Sequence, residues 1–287
     1  MADFWVVGPI AWDRVLRVPC LPASGGFVQA GHVAARPGGA GANTAVALAS
    51  TGASVHMIGY LGDDEPGARL REVLAAAGVG TRFVHVRSGP TSEVVILVEP
   101  SGERAIIGIH PDLLHSVPVP VGEIQTGDVV SFAAWHDHFL PAMKTLTSSG
   151  TIVATVPPPA LAPGVPAAYV IGSLAQHGGE NPGRRACAAD GTVRAVVVTK
   201  GADGVVVYGR DGSAAYPAQR VEALDTTGAG DAFAAGFLRQ IAAGSAVGQA
   251  VAAGIAWATA AVQTAASIPP AWQRVRDSIS AHPPTRP

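Results

Sequence analysis

The run Asp225-Thr226-Thr227-Gly228-Ala229-Gly230-Asp231, followed by Ala232-Phe233-Ala234-Ala235-Gly236-Phe237-Leu238, has the residue types of an anion site joined to a base. Gly, Ala and Gly leave the backbone bare where a helix is predicted to begin. Bare N–H groups at a helix N-terminus, with the dipole behind them, attract phosphate or the charge that builds on a transferring phosphoryl group. Asp231 falls in the first turn of that helix. A carboxylate there is placed to accept a proton from a hydroxyl lying beside the anion. The plainer alternative is that Asp225 or Asp231 caps the helix and the glycines only turn the chain.

Other residues carry weaker signals. Trp135-His136-Asp137-His138 follows a predicted strand, where a parallel sheet presents its ligand-binding edge. Lining a cleft, lying in a plain surface loop and holding a metal are all open to it, although adjacent loop residues rarely face one ion. His110 and Arg104 sit on or beside a predicted hairpin. His110 is placed either to touch a substrate or to pack. Arg104 is placed either to reach a phosphate or to stay solvated. Gly39-x-Gly41-x-x-Thr44 has no third glycine, and no clean first βα turn precedes it, so it is not a dinucleotide fingerprint.

The elements that must position these residues follow from periodicity. Phe4 to Val7 reads as a buried strand closed by Gly8-Pro9. Val15 to Ala35 is broken by Pro19, Pro22 and Gly25-Gly26 and alternates around Phe27 to Val33, which predicts small antiparallel strands apart from the main body. Asn43 to Thr51 and Gly67 to Ala77 read as helices stopped by Gly52 and Gly78. Val55 to Tyr60 is a strand. Glu93 to Val98 and Arg104 to Ile109 form a hairpin around Glu99-Pro100-Ser101-Gly102. Strands follow at Val129 to Ala133, Thr151 to Val156, Tyr169 to Ile171, Val196 to Thr199 and Val205 to Tyr208. Helices Ala229 to Ala243 and Ser245 to Thr264 come next, and the Pro-rich stretch from His282 to Pro287 is expected to be disordered. Strands alternating with helices predict an α/β fold with a doubly wound, mostly parallel sheet.

Bulk properties narrow the partner. The chain has 287 residues, 48% of them hydrophobic and 14% charged, with a formal net charge of -2. That provides for one large domain, or one domain plus a small appendage, with a substantial core. No basic balance points to nucleic acid or a membrane surface. The longest apolar stretches, such as Val251 to Val262, fall short of the ~20 residues that span a bilayer. Met1-Ala2-Asp3-Phe4-Trp5 has no basic n-region of a signal peptide, so a cytoplasmic location is expected. The two cysteines, Cys20 and Cys187, lie far apart, outside any zinc-type cluster. A small-molecule partner is the expectation.

Two separated segments resemble the paired signatures of the ribokinase-like (PfkB) carbohydrate and nucleoside kinases. One is Asp225 to Leu238. The other is Gly38-Gly39-Ala40-Gly41-Ala42-Asn43-Thr44-Ala45 with Gly52 and Gly62. Gly8, Asp13, Gly102-Glu103-Arg104 and Thr199-Lys200-Gly201-Ala202-Asp203-Gly204 extend the likeness over nearly the whole chain. The resemblance implies one kinase domain over residues 1–280, with a β lid from about 14–36 and 92–109. It implies transfer of a phosphoryl group from ATP, with Mg2+, to a hydroxymethyl group of a ribosyl-type sugar or nucleoside. Asp231 would be the catalytic base, and the backbone of Gly228, Ala229 and Gly230 the anion hole. Asp13, Gly39 and Asn43 would hold sugar hydroxyls, while Thr199, Gly201 and Gly204 would line the nucleotide site. Asp225 and Thr227 match positions that help bind a monovalent cation such as K+, with further ligands from the loop Gln263 to Pro270. Phe27, Trp12 and Trp135 are available to stack on a base. Lid pairing would make the chain a homodimer.

The departures are specific. Ser173-Leu174-Ala175-Gln176 stands where the family often has Asn-x-x-Glu, so the charge near the magnesium is missing. Ala40 stands where ribokinase has Lys, and the Gln263 to Pro270 loop is short. These leave open an alternative: a ribokinase-like protein impaired in catalysis that binds sugar or nucleotide as a sensor.

Overall fold

A computed structural model describes residues 2–102, 104–109, 116–159, 164–174, 191–210 and 212–281. Glu103, His110, Ala175, Gln176, Cys187 and the stretch 282–287 lie outside the described residues.

Strand β1 (Phe4–Val7) is the centre of the fold. On one side it pairs in parallel with β4 (Val55–Gly62), which pairs in parallel with β5 (Gly80–Arg87). On its other side stand β8 (Val129–Phe132), β9 (Ile152–Thr155), β10 (Tyr169–Ser173) and β11 (Ala195–Thr199), all parallel. Two antiparallel additions, β12 (Val205–Gly209) and β13 (Gly212–Tyr216), finish that edge. The order is β5-β4-β1-β8-β9-β10-β11-β12-β13. The chain winds outward from β1 in both directions, so the junction of β1 and β8 is a topological switch point, where the carboxyl ends of strands open a crevice.

Both faces of this sheet are apolar because helices or loops cover both. Along β1, Phe4 and Val6 enter one core while Trp5 and Val7 enter the other. The larger core is closed by α1 (Ala40–Ala49), α2 (Glu65–Ala76), α4 (Ala229–Ala242), α5 (Val247–Val262) and α6 (Trp272–Ala281). The smaller is closed by α3 (Leu140–Ser148) through Met143 and Leu146, with Phe139 beside them. Gly236 and Gly254 let α4 and α5 approach backbone to backbone: a Cβ on Gly236 would lie 2.8 Å from the Ala253 carbonyl oxygen. Among the described residues no helix is long and apolar enough to cross a membrane.

A second sheet is built from β2 (Ala11–Arg17), β3 (His32–Gly38), β6 (Glu93–Val98) and β7 (Arg104–Ile109), in the order β3-β2-β6-β7. Two antiparallel pairs meet at a parallel β2–β6 contact. The 93–109 hairpin has the boundaries predicted for it. The alternation around Phe27 does not make a strand: Phe27 is 89% exposed, and β3 starts only at His32. Four elements, β5, α3, β13 and α6, form where the sequence reading places none.

Candidate active site

Strand β1 delivers the chain at Gly8-Pro9, and β2 rises from there. The pleat alternates: Ala11, Asp13 and Val15 are buried, while Arg14 is exposed. Asp13 is 2% exposed, and its Oδ2 accepts a hydrogen bond from Ser267 Oγ at 2.5 Å. Burial raises its pKa, with Asp225 adding to the rise and only partial relief from Ser267 and Arg36. The carboxylate lies directly over Gly38, where any Cβ would overlap it. Gly39 then turns the chain into α1 at φ 93°, with the Pro9 carbonyl 2.6 Å from where its Cβ would stand. A side chain is excluded there on both conformational and steric grounds.

That turn sets Asn43 in the first turns of α1, buried and facing α4. Its Nδ2 donates to Asp231 Oδ2 at 2.8 Å. Its Oδ1 is buried and has no partner among the described residues. Such an acceptor is costly to leave unpaired.

Helix α4 begins at Gly228, whose φ of 77° is left-handed and whose missing Cβ leaves room for the Ser267 carbonyl. No side chain caps this N-terminus, and the Ala229 N–H makes only a long 3.4 Å bond to the Thr226 carbonyl, so this turn keeps capacity for an outside acceptor. Gly230 faces open space: a Cβ there would meet nothing within 4 Å. An uncapped N-terminus with an open glycine fits a phosphate oxygen cluster. Asp231 follows in the same turn, half-buried. Burial pushes its pKa up to about 7; Asn43 and Arg104 pull it down, and Asp13 pushes it up. A carboxyl with that pKa is suited to exchange a proton near neutrality.

The small sheet is docked on this cluster. Arg104 of β7 donates to Thr226 Oγ1, which itself donates to the Gly102 carbonyl at 3.4 Å. Arg36 of β3 reaches deeper. Its Nη2 binds Asp225 Oδ2 at 2.7 Å, its Nε donates to Ser267 Oγ at 2.7 Å, and its Nη1 donates to the Ala265 carbonyl. Asp225 is fully buried, and its Oδ1 accepts the Thr227 N–H at 2.8 Å. Burial would raise the Asp225 pKa, but the hydrogen bonds from Thr227 and Arg36 outweigh it and hold the carboxyl below its usual range.

The structure therefore brings together Asp13, Gly39, Asn43, Gly228, Ala229, Gly230 and Asp231, with Asp225 and Thr227 behind them. Thr199, Gly201 and Gly204 stand at the same carboxyl edge but farther along, at the end of β11 and just beyond it. There Thr199 pairs with Ser173 in register, and its Oγ1 donates to the Gly172 carbonyl at 3.4 Å. Gly204, at φ 90°, lies against the Tyr216 carbonyl, and Gly201 opens on free space. Trp12 is not available to a ligand bound at Asp13. It points from the opposite face of β2, packs on the main core and lies under the Arg69 guanidinium, 5.4 Å from its ring centroid. Trp135 Nε1 donates to Asp137 Oδ1 at 2.9 Å, and the His136 and His138 Nδ1 atoms lie 2.7 Å apart. Among the described residues no cluster of His, Cys, Asp or Glu is arranged to hold a metal ion. Arg36 and Ser267 escaped the sequence reading. The β2–β3 register pairs Asp13 with Arg36, so counting alternate residues back from Gly38 would have found the arginine.

The profile of the family described as pfkB family carbohydrate kinase matches residues 1–162 and 175–274. The chain belongs to that family. It is 33% identical over 248 residues to the ATP-dependent ribose-1-phosphate kinase of Halopiger xanaduensis, covering 80% of this chain and 82% of that protein. It is 28% identical over 231 residues to the aminoimidazole riboside kinase of Salmonella typhimurium, covering 70% and 72% of the two. The ribokinase of Cryptococcus neoformans, solved in complex with ADP, superposes with a TM-score of 0.80 at 23% identity, over 97% of this chain and all of that one. This pfkB family member is thus an ATP-dependent sugar or nucleoside kinase with a ribokinase-like α/β fold and a separate small lid sheet.

Proposed function

We propose that the chain transfers the γ-phosphoryl group of ATP to a hydroxymethyl group of a ribosyl acceptor, with Asp231 as general base. The observation that carries this reading is the partly buried Asn43–Asp231 hydrogen bond beside the uncapped start of α4. It fixes a carboxyl of pKa about 7 on the same rigid turn as the anion-binding N–H groups. Phosphoryl transfer asks the protein for positioning and charge stabilisation more than for covalent chemistry.

In this reading Asp13 and the free Oδ1 of Asn43 accept hydrogen bonds from neighbouring hydroxyls of the acceptor. Gly38 and Gly39 let the sugar approach the backbone. The Asp231 carboxylate takes the proton of the attacking hydroxyl as its oxygen bonds to the γ-phosphorus, and the bond to ADP breaks. The N–H groups of Gly228, Ala229 and Gly230 hold the negative charge on the transferring group. Thr199, Gly201 and Gly204 line the nucleotide end, with open space at Gly201 suited to close approach of a ligand. Magnesium would be held by the ATP phosphates and water, as that ion often is, with Ser173 near it. The two curated relatives are named for ribose 1-phosphate and an aminoimidazole riboside, both ribosyl compounds substituted at C1. That supports an acceptor whose C1 position is occupied.

The test is ATP turnover against ribose, ribose 1-phosphate, ribonucleosides and free hexoses, for wild type and Asp231→Asn. Turnover of a ribosyl acceptor is expected. The variant should lose about 10²–10⁴-fold in kcat while still binding nucleotide. Wild-type rates in Asp231→Asn, or turnover of hexoses alone, would defeat the reading.

A further inference from the structure

A monovalent cation site needs several oxygens, one of them charged, converging on a single point. Such a convergence exists behind the anion hole. The oxygens are Asp225 Oδ2, the Ala265 carbonyl and Ser267 Oγ, drawn from the segment before α4 and from the loop after α5. The point on which they converge is the guanidinium of Arg36, and every nitrogen of that group is engaged. The second oxygen of Asp225 is committed to the Thr227 N–H at 2.8 Å. Both oxygens of the one charged acceptor in this set are therefore engaged within the chain. The guanidinium side chain is 15% exposed, and its Asp225 partner is 0% exposed. An ion entering here would have to displace a permanently charged fork whose planar geometry matches its three acceptors. Thr227 Oγ1 is buried without a partner among the described residues, but one neutral hydroxyl does not make a potassium site, so the residues present do not fit that ion.

We infer that Arg36 is a built-in replacement for the monovalent cation, a positioning residue that makes this kinase independent of potassium. The inference rests on the anion hole proposed at Gly228–Gly230. Arg36 acts on it through two contacts. Asp225, held by the guanidinium, fixes the Thr227 N–H one residue before Gly228. Ser267, held by the same group, presses its carbonyl against Gly228 and donates its hydroxyl to Asp13. One side chain from the lid strand β3 thus sets the anion hole and the sugar-binding carboxylate together. A cation diffusing in from solvent would order the first but would not tie it to the lid. The β3 position, two residues before Gly38, places the guanidinium in the hairpin that carries Asp13.

The experiment compares wild type, Arg36→Ala and Arg36→Lys in potassium chloride and in tetramethylammonium chloride at equal ionic strength. Activity and melting temperature are read separately. Wild type should show less than a twofold change in kcat and no shift in melting temperature between the salts. Arg36→Ala should lose at least tenfold in kcat in tetramethylammonium, and potassium should restore part of it and raise the melting temperature. Arg36→Lys keeps the charge without the fork. It should show an intermediate loss that potassium does not repair. Saturable activation or stabilisation of wild type by potassium would overturn the inference, as would an Arg36→Ala protein that behaves like wild type in both salts. If Arg36→Ala does not fold, the wild-type potassium titration by melting temperature still decides the question. Because melting temperature does not require turnover, it stands even if the Asp231→Asn test defeats the kinase mechanism.

Discussion

Asp231 sits between opposing influences, and their balance sets a pH profile. Burial and the neighbouring Asp13 carboxyl favour the protonated form, while Asn43 and Arg104 favour the carboxylate. A general base must be ionised. With its pKa raised to about 7, Asp231 is mostly protonated at pH 6, so kcat/KM should rise with pH through about 7 and level off above it. Asp13 and Asp231 interact, so the observed value belongs to the pair. Removing the Asn43 donor removes an influence that lowers the pKa. Asn43→Ala should therefore move this limb to higher pH, and should also raise the acceptor KM through loss of Oδ1. A pH–rate profile of both proteins checks this. A limb that stays in place or moves down in the variant would show that Asn43 does not tune the base. Residue types and spacing made Asp231 a candidate base, and the family resemblance made Asn43 and Asp13 candidates beside it. The hydrogen-bonded chain from Asp225 through Arg36 and Ser267 to Asp13 was not legible, because its members come from distant segments and only the fold joins them.

At the scale of elements, the lid is anchored at more than the active site. Asp64 is the N-cap of α2: its Oδ1 accepts the Gly67 N–H at 3.0 Å, and its Oδ2 accepts the Thr91 N–H at 2.9 Å. The Thr91 hydroxyl donates back to Asp64 Oδ1 and accepts the Gly62 N–H at 3.0 Å. This knot ties the end of β4 and the start of α2 to the residue pair that precedes lid strand β6. Burial would raise the Asp64 pKa, but its bonds to Thr91 and Gly67 more than offset that and lower it. Asp64→Ala should cost about 0.5–2 kcal/mol by denaturant unfolding, the range for a lost N-cap. Asp63→Ala, on the neighbouring exposed carboxylate that accepts from Gly89, should cost less. Equal losses would mean that the knot contributes no more than the surface bond. The strands of the sheet interior were readable because burial on both faces writes continuous β-branched runs such as Val196-Val197-Val198. Strand β5 was not, because this edge strand mixes Thr81, Arg82, His85 and Arg87 into its pattern. Helix α6 was hidden by its polar composition, with Trp272 and Val275 as its buried anchors.

At the scale of the molecule, the lid leaves apolar surface that the monomer does not cover. Its inner face buries Val15, Ile96 and Val98. Its two outer strands, β3 and β7, expose Val33 at 56%, Ile106 at 55%, Ile107 at 54% and Ile109 at 36%. Open strand edges carrying aliphatic side chains invite pairing with another chain, and proteins protect such edges by charge, bulges or a partner. Neither run has a charge among its exposed aliphatic residues: β7 reads Ala105-Ile106-Ile107-Gly108-Ile109 after Arg104. We therefore propose that a second copy of the chain covers this surface in solution. A homodimer joined lid to lid would also couple the setting of Arg36 and Arg104 in one protomer to its partner, since both arginines are carried by the exposed strands. Wild type should sediment at twice the chain mass, and Ile107→Glu should shift it toward the monomer. If lid order depends on the pairing, kcat/KM for the acceptor should fall in parallel with the dimer fraction across a dilution series. A wild type that is monomeric at every concentration, or an Ile107→Glu dimer as tight as wild type, would place the subunit contact elsewhere or remove it.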